Sequence, residues 1–192
     1  MIPTESFVQI EVRAATELRD WLTAHHAQAD SVWLVTWKKR PGAPFVSVAE
    51  VLDNLVAFGW IDGLRRKLDA DRTMQLISPR KQQAWAQTYK DRAARLMAEG
   101  RMHAAGRAAI EAARRAGRWD ETAAVDALLV PDDLAHALHQ HAAAAAFFAG
   151  AAPSYRRNVL RWLHLAKRAE TRAARIARIV DVSMLGEKLP QL

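Results

Sequence analysis

Asp62 is the single carboxylate between Phe58 and Leu68, a run crowded with cations. Phe58-Gly59-Trp60-Ile61-Asp62-Gly63 runs into Leu64-Arg65-Arg66-Lys67-Leu68, and the stretch closes at Ser78-Pro79-Arg80. A carboxylate set among cations stays ionised, which suits an orienting role better than proton donation. Arg65, Lys67 and Arg80, joined by Lys38, are candidates for an anion pocket, because arginine forks match carboxylate and phosphate groups. Trp60 adds a large ring beside them. The same residues also admit a plainer reading, in which a salt-bridged Asp62 fixes a hairpin and the cations line a solvated strand face.

Spacing makes this constellation testable. Alternation along a strand puts Arg65 and Lys67 on one face and Arg66 on the other. Asp62 and Arg65 differ by three, so a regular strand would separate them. Their convergence requires Gly63 to bend or bulge the strand. Asp69-Ala70-Asp71 reads as the hairpin turn, and Thr73 to Ile77 as the returning strand, stopped by Pro79. The expected register pairs Trp60 to Asp62 with Ile77 to Pro79. Arg80 then becomes the direct partner of Asp62, with Arg65 and Lys67 left for an external anion.

The elements that must hold this hairpin are legible. Ser47 with Glu50 three residues on reads as a capping box. Val48, Val51, Leu52, Leu55, Val56 and Phe58 follow at helical spacing, and Gly59 fits the left-handed position past a helix end. Ser31 to Trp37 is apolar on both alternating faces, so a central, doubly buried strand is expected. Phe7 to Glu11 reads as a short edge strand. Thr16 reads as the cap of a helix carrying Leu18, Trp21, Leu22 and His25.

After Arg80 strand signals stop. Helices are expected over Ala84 to Glu99, Ala104 to Ala116 and Asp132 to His141, the first two closed by Gly100 and Gly117 and the last started by Pro131 at its first turn. From Ser154 a long helical pattern carries arginines on its polar face: Arg157, Arg161, Arg168, Arg172 and Arg175. The expected fold is α+β, with a small antiparallel sheet and helices in residues 1–83. An all-helical region follows over residues 84–192, packed on the first.

At 192 residues and 51% hydrophobic, the chain can bury one sizeable core or two small ones. It has no cysteine, which excludes disulfides and thiolate chemistry. Residues 1–11 show no basic start followed by an apolar run, and the alanine run 142–150 is too short to span a bilayer. A cytoplasmic protein without membrane insertion is therefore expected. The net charge of +7 is compatible with nucleic acid, an anionic small molecule or an acidic protein partner, and equally with none.

The residues together resemble one family. Val32-Trp33-Leu34 with Lys38-Lys39, the Gly-Trp-Ile-Asp-Gly and Ser-Pro-Arg elements, and Trp85 are similar to the YdeI/OmpD-associated, or bacteriocin-protection, proteins. Gly100-Arg101-Met102, Gly106, Gly117-Arg118-Trp119-Asp120, Ala166-Lys167, Glu170-Thr171-Arg172 and Arg175-Ile176 extend the resemblance over nearly the whole chain. The sequence departs from the family's usual pattern at Ala57, where a cysteine is common. It departs again at Gln83 and Ala86, where serines are usual, and near Ala169, where a proline often splits the last helical stretch. A break near Lys167 to Glu170 is expected here all the same. The resemblance implies protection against envelope stress or antimicrobial peptides and no established reaction.

Other constellations are weaker. His136 and His139 share a helix face with His141 nearby, but no acidic third ligand is placed with them, so no metal site is expected. There is no phosphate-cradling glycine loop and no Gly-x-Ser-x-Gly elbow, and no cofactor is expected. The seven tryptophans read as core, with a ring-stacking platform as the sharper alternative. The leading expectation is a non-enzymatic cytoplasmic stress-protection protein that binds an anionic ligand or partner near the hairpin. The alternatives are a nucleic-acid-associated protein gripping phosphates with Arg168, Arg172 and Arg175, and an enzyme acting on a small anionic substrate.

Overall fold

A computed structural model describes residues 6–190. By contacts the chain divides into two compact units, with the boundary after Asp120. The first holds β1 (Gln9–Glu11), α1 (Ala15–His25), β2 (Val32–Trp37), α2 (Val48–Ala57), β3 (Trp60–Lys67), β4 (Arg72–Pro79), α3 (Gln87–Ala98) and α4 (Ala104–Arg115). The second holds α5 (Ala123–Asp126), α6 (Asp132–His139), α7 (Ala142–Gly150), α8 (Pro153–His164) and α9 (Ala169–Met184).

The four strands run in the order β1-β2-β4-β3. β2, β4 and β3 are antiparallel, but β1 joins β2 in parallel. The expected small antiparallel sheet is thus present, extended at one edge by a parallel strand. The parallel edge follows from the connection: α1 carries the chain back across the sheet between β1 and β2, as a parallel crossover requires. β2 is buried on both faces, as its doubly apolar pattern demands. Val32 and Leu34 join the main core with Leu55, Trp60 and Ile77, while Trp33 and Val35 join Met74 in a second cluster. Each large apolar side chain so buried stabilises by roughly 1.5–3 kcal/mol.

α2 starts at the expected capping box. Ser47 accepts from the Glu50 amide at 3.2 Å, and the Glu50 carboxylate accepts from the Ser47 amide at 2.8 Å. It ends at Gly59, whose φ of +73° is the left-handed conformation a helix exit needs. α1 opens differently from expectation. Ala14, not Thr16, holds the N-cap position, and Glu17 takes the Arg13 amide at 2.8 Å in place of a hydroxyl cap.

α3 and α4 belong with the sheet, although strand signals stop after Arg80 and the α+β region was expected to end at residue 83. Their buried residues Ala93, Leu96, Ile110 and Ala113 share one cluster with Leu55 and Trp60. Buried Asp53 of α2 binds Arg92 and, at 2.5 Å, Arg95 of α3. Burial would raise its pKa, but the Arg95 and Arg92 hydrogen bonds outweigh that and hold it below the ordinary carboxylate range. The Gly117–Asp120 loop then folds back on α3. Lys90 donates to Asp120 at 3.0 Å, and Trp119 packs 5.1 Å from Trp85.

The second unit closes its own core around Leu134, Phe148, Val159, Leu163 and Ile179. The final helical stretch does break: α8 ends at His164 and α9 begins at Ala169. α6 begins at Asp132 as expected, with Pro131 at its N-cap position. Among the described residues no helix is long and apolar enough to cross a membrane.

His103 gives the first unit a dependence on pH. It caps α4, its Nδ1 accepting the Ala105 amide at 3.2 Å, and its ring stacks 4.5 Å from that of Phe58. Burial, with His26, Arg19 and Arg107 nearby, lowers its pKa below the ordinary histidine value. A protonated ring also cannot accept at Nδ1, so the cap needs the neutral form. A folded pKa below the unfolded one means that stability is full above about pH 6.5 and is lost as pH falls through the folded value. The urea midpoint is expected to drop between pH 7.5 and 5.5, and His103→Asn, a cap that does not titrate in this range, is expected to flatten that drop. An equal slope in both proteins would remove the assignment.

Candidate functional site

The hairpin pairs Trp60 with Pro79, Ile61 with Ser78 and Asp62 with Ile77, the register expected from the turn. Between Asp62 and Arg65 the register shifts by one, because β3 spends three steps where β4 spends two. The extra residue lies at Gly63-Leu64. This bulge brings Arg65 opposite Gln75 and Lys67 opposite Thr73, on the face that also carries Asp62. Arg66 goes to the other face, its guanidinium 5.4 Å from the Trp33 ring.

A chain of hydrogen bonds results. Arg65 donates from Nη2 to Gln75 Oε1 at 3.0 Å. Gln75 donates from Nε2 to Asp62 Oδ2 at 3.0 Å. The other carboxylate oxygen, Oδ1, accepts the hydroxyl of Tyr89, reached from α3. Burial, then the bond to Asp62, raise the pKa of Tyr89, so it stays a protonated donor and offers no phenolate base.

Arg80 is not the direct partner of Asp62, which corrects the pairing expected from spacing. Its guanidinium lies between two rings, 4.1 Å from Trp85 and 4.8 Å from Tyr89. Its amide donates to Gly59 O at 2.9 Å, and Nη1 reaches Ala84 O at 3.4 Å. Nε and Nη2 are buried without a hydrogen-bond partner. Burial lowers its pKa to about 10, opposed by Tyr89 and Asp62, so it remains a cation at neutral pH. Arg80 and Asp62 therefore meet through Tyr89, which offers its ring to one and its hydroxyl to the other.

Two further candidates stand apart from this group. Trp60 is 0% exposed, and its indole N–H donates to His26 O at 3.1 Å. It presents no face to a ligand. Lys38 donates to the carbonyls of Asp69 at 3.0 Å and Ala70 at 2.7 Å. It fastens the hairpin turn, at the opposite end from Asp62.

The arginines of the final helices are also largely committed. Arg172 grips Asp133 of α6 with two nitrogens, at 2.5 and 2.9 Å. Arg175 donates to Trp162 O and lies 4.7 Å from the Trp162 ring. Arg168 is exposed at the N-cap of α9. A phosphate grip by all three would have to break two of these ties.

Gln75 and Tyr89 are the site residues that spacing did not single out. The signal for Tyr89 was its place four residues after Trp85 on an apolar stripe, where a hydroxyl needs a partner. Gln75 carried the corresponding signal: a long polar side chain in a strand that is otherwise apolar on both sides of it.

Residues 127–186 match the family described as bacteriocin-protection, YdeI or OmpD-associated, which agrees with the resemblance but covers the helical unit rather than nearly the whole chain. Residues 10–109, including the hairpin, match a different family, described as a domain of unknown function (DUF8412). Neither a curated protein nor a solved structure matches the chain. With more than half of its 192 residues inside the second match, the chain belongs to that DUF8412 family, and its helical unit carries the YdeI/OmpD-associated segment.

Proposed function

We propose that the protein acts in the cytoplasm as a non-enzymatic protective factor of the bacteriocin-protection type, binding a small anion at the β3–β4 hairpin. The observation that supports this is the exposed pair Arg65 and Lys67. They share one strand face, and among the described residues neither has a carboxylate partner. Gln75 holds Arg65 by one nitrogen and leaves the rest of the fork to a ligand. Such a pre-oriented cation loses little freedom on binding. Asp62 and Tyr89 serve this reading as the frame behind Gln75. Tyr89, as a protonated donor, and Asp62, occupied on both oxygens, supply no general base, which weighs against the enzymatic alternative.

The test is a thermal-shift screen over phosphate, citrate and other anionic metabolites, with the best anion then titrated by calorimetry. Arg65→Ala is expected to weaken that binding at least tenfold, from the ~1.5–3 kcal/mol of a charge-assisted hydrogen bond, while leaving the melting temperature nearly unchanged. Binding unaffected by Arg65→Ala and Lys67→Ala would refute the site. Loss of survival under a cationic antimicrobial peptide in cells carrying Arg65→Ala would tie the site to protection.

A further inference from the structure

The helical unit contains a second place with unmet charge. Its arginines mostly have partners: Arg157 and Arg161 lie 4.0 and 3.8 Å from Asp126, Arg172 holds Asp133, and Arg175 holds Trp162 O. Arg168 and Arg178 are exposed, where water supplies the partner. Arg156 is neither paired nor exposed. It is half-buried, its Nε is fully enclosed without an acceptor, and no described residue bonds its guanidinium. Its guanidinium lies 5.7 Å from the centre of the Phe148 ring.

Arg156 lines a cleft of about 210 Å³ whose other walls are mainly apolar: Val130, Leu138, Ala145 and Phe148. His139 stands at the same cleft. A half-buried cation without an anion is costly, and the cost is removed by a ligand that brings one. An apolar cleft with one convergent charged group is also the general form of a small-molecule site. This cleft is smaller than the roughly 300–1,000 Å³ of drug-sized sites, which limits the occupant to a short chain.

We propose that this cleft binds a small carboxylate with an apolar tail, the carboxylate on the Arg156 guanidinium and the tail against Phe148 and Leu138. Arginine favours a carboxylate here because its planar fork takes both oxygens at once. The site uses none of the hairpin residues, so it stands or falls separately from the proposed anion site there.

The experiment is calorimetric titration of the full chain with hexanoate, and with neutral hexanamide as the matched control. Hexanoate is expected to bind, with hexanamide at least tenfold weaker. Arg156→Gln should reduce hexanoate affinity at least tenfold and bring the two ligands level. Ala149→Leu, at an exposed position lining the cleft, should block both ligands while the melting temperature holds. Arg65→Ala should change neither. No hexanoate binding at millimolar concentration overturns the proposal, as do equal affinities for hexanoate and hexanamide in the parent protein. Hexanoate binding that survives both Arg156→Gln and Ala149→Leu overturns it too.

Discussion

A Gly106→Ala protein is expected to lose about 3 kcal/mol or more of stability, at the upper end of overpacking costs, in urea denaturation followed by tryptophan fluorescence. A Cβ at Gly106 would stand 2.2 Å from Ala57 O and 2.6 Å from Met102 Sδ. The thioether can swing aside. The carbonyl cannot, because it ends α2 and accepts the His103 amide at 3.1 Å. Either α4 moves away from α2 or that hydrogen bond breaks. The same approach is tight one turn further along α4, where a Cβ on Gly59 would lie 2.8 Å from Ala109 Cβ. Ordinary helix propensity points the other way, since alanine in a helix is favoured over glycine by about 1 kcal/mol. A Gly106→Ala protein as stable as the parent would therefore show that α2 and α4 are not held this closely.

Arg80→Ala is expected to cost about 2–3 kcal/mol, the sum of a desolvated cation–π contact and the lost packing of its stem. Two effects oppose each other here. The guanidinium buries two unpartnered nitrogens, and their removal is a gain. Removal also takes a cation from between Trp85 and Tyr89 and leaves a gap there. Arg80→Met separates the two, because methionine fills the gap without charge. It is expected to recover the packing part only and to fall between Arg80→Ala and the parent in its urea midpoint. Full recovery in Arg80→Met would mean that Arg80 acts as a spacer and that its charge contributes nothing to the fold.

What was legible in the sequence is what local chemistry decides. The capping box at Ser47, the positive φ at Gly59, the hairpin register and the bulge at Gly63 each follow from residues within a few positions of one another. The partners of Asp62 and Arg80 were not legible in that way. Tyr89 lies 27 residues from Asp62 and comes from α3, a helix tied to α2 by the bonds of Arg92 and Arg95 to Asp53. Proximity along the chain favoured Arg80 for Asp62, but the rings of Trp85 and Tyr89 took the guanidinium instead. Lys38 failed as a site residue for a related reason. It leaves β2 beside the hairpin turn, where the unpaired carbonyls of Asp69 and Ala70 claim it. Arg172 and Arg175 looked like a solvated stripe because helical spacing says nothing of Asp133 or of the end of α8.

The bulge in β3 behaves as a shift of reading frame. Side chains on a strand alternate with a period of two, so every residue has a parity, odd or even, that decides which side of the sheet it addresses. One added residue at Gly63-Leu64 inverts the parity of all that follows up to the turn. Trp60 and Asp62 are even-numbered and Arg65 and Lys67 odd-numbered, yet all four address the same side. Deleting a single residue there would leave the composition of the hairpin almost untouched and exchange its two surfaces, sending Arg65 and Lys67 to the side of Trp33 and Arg66 to the side of Asp62. The charge pattern of this hairpin is thus written in its length as much as in its letters, and a gain or loss of one residue would alter its chemistry more than most substitutions.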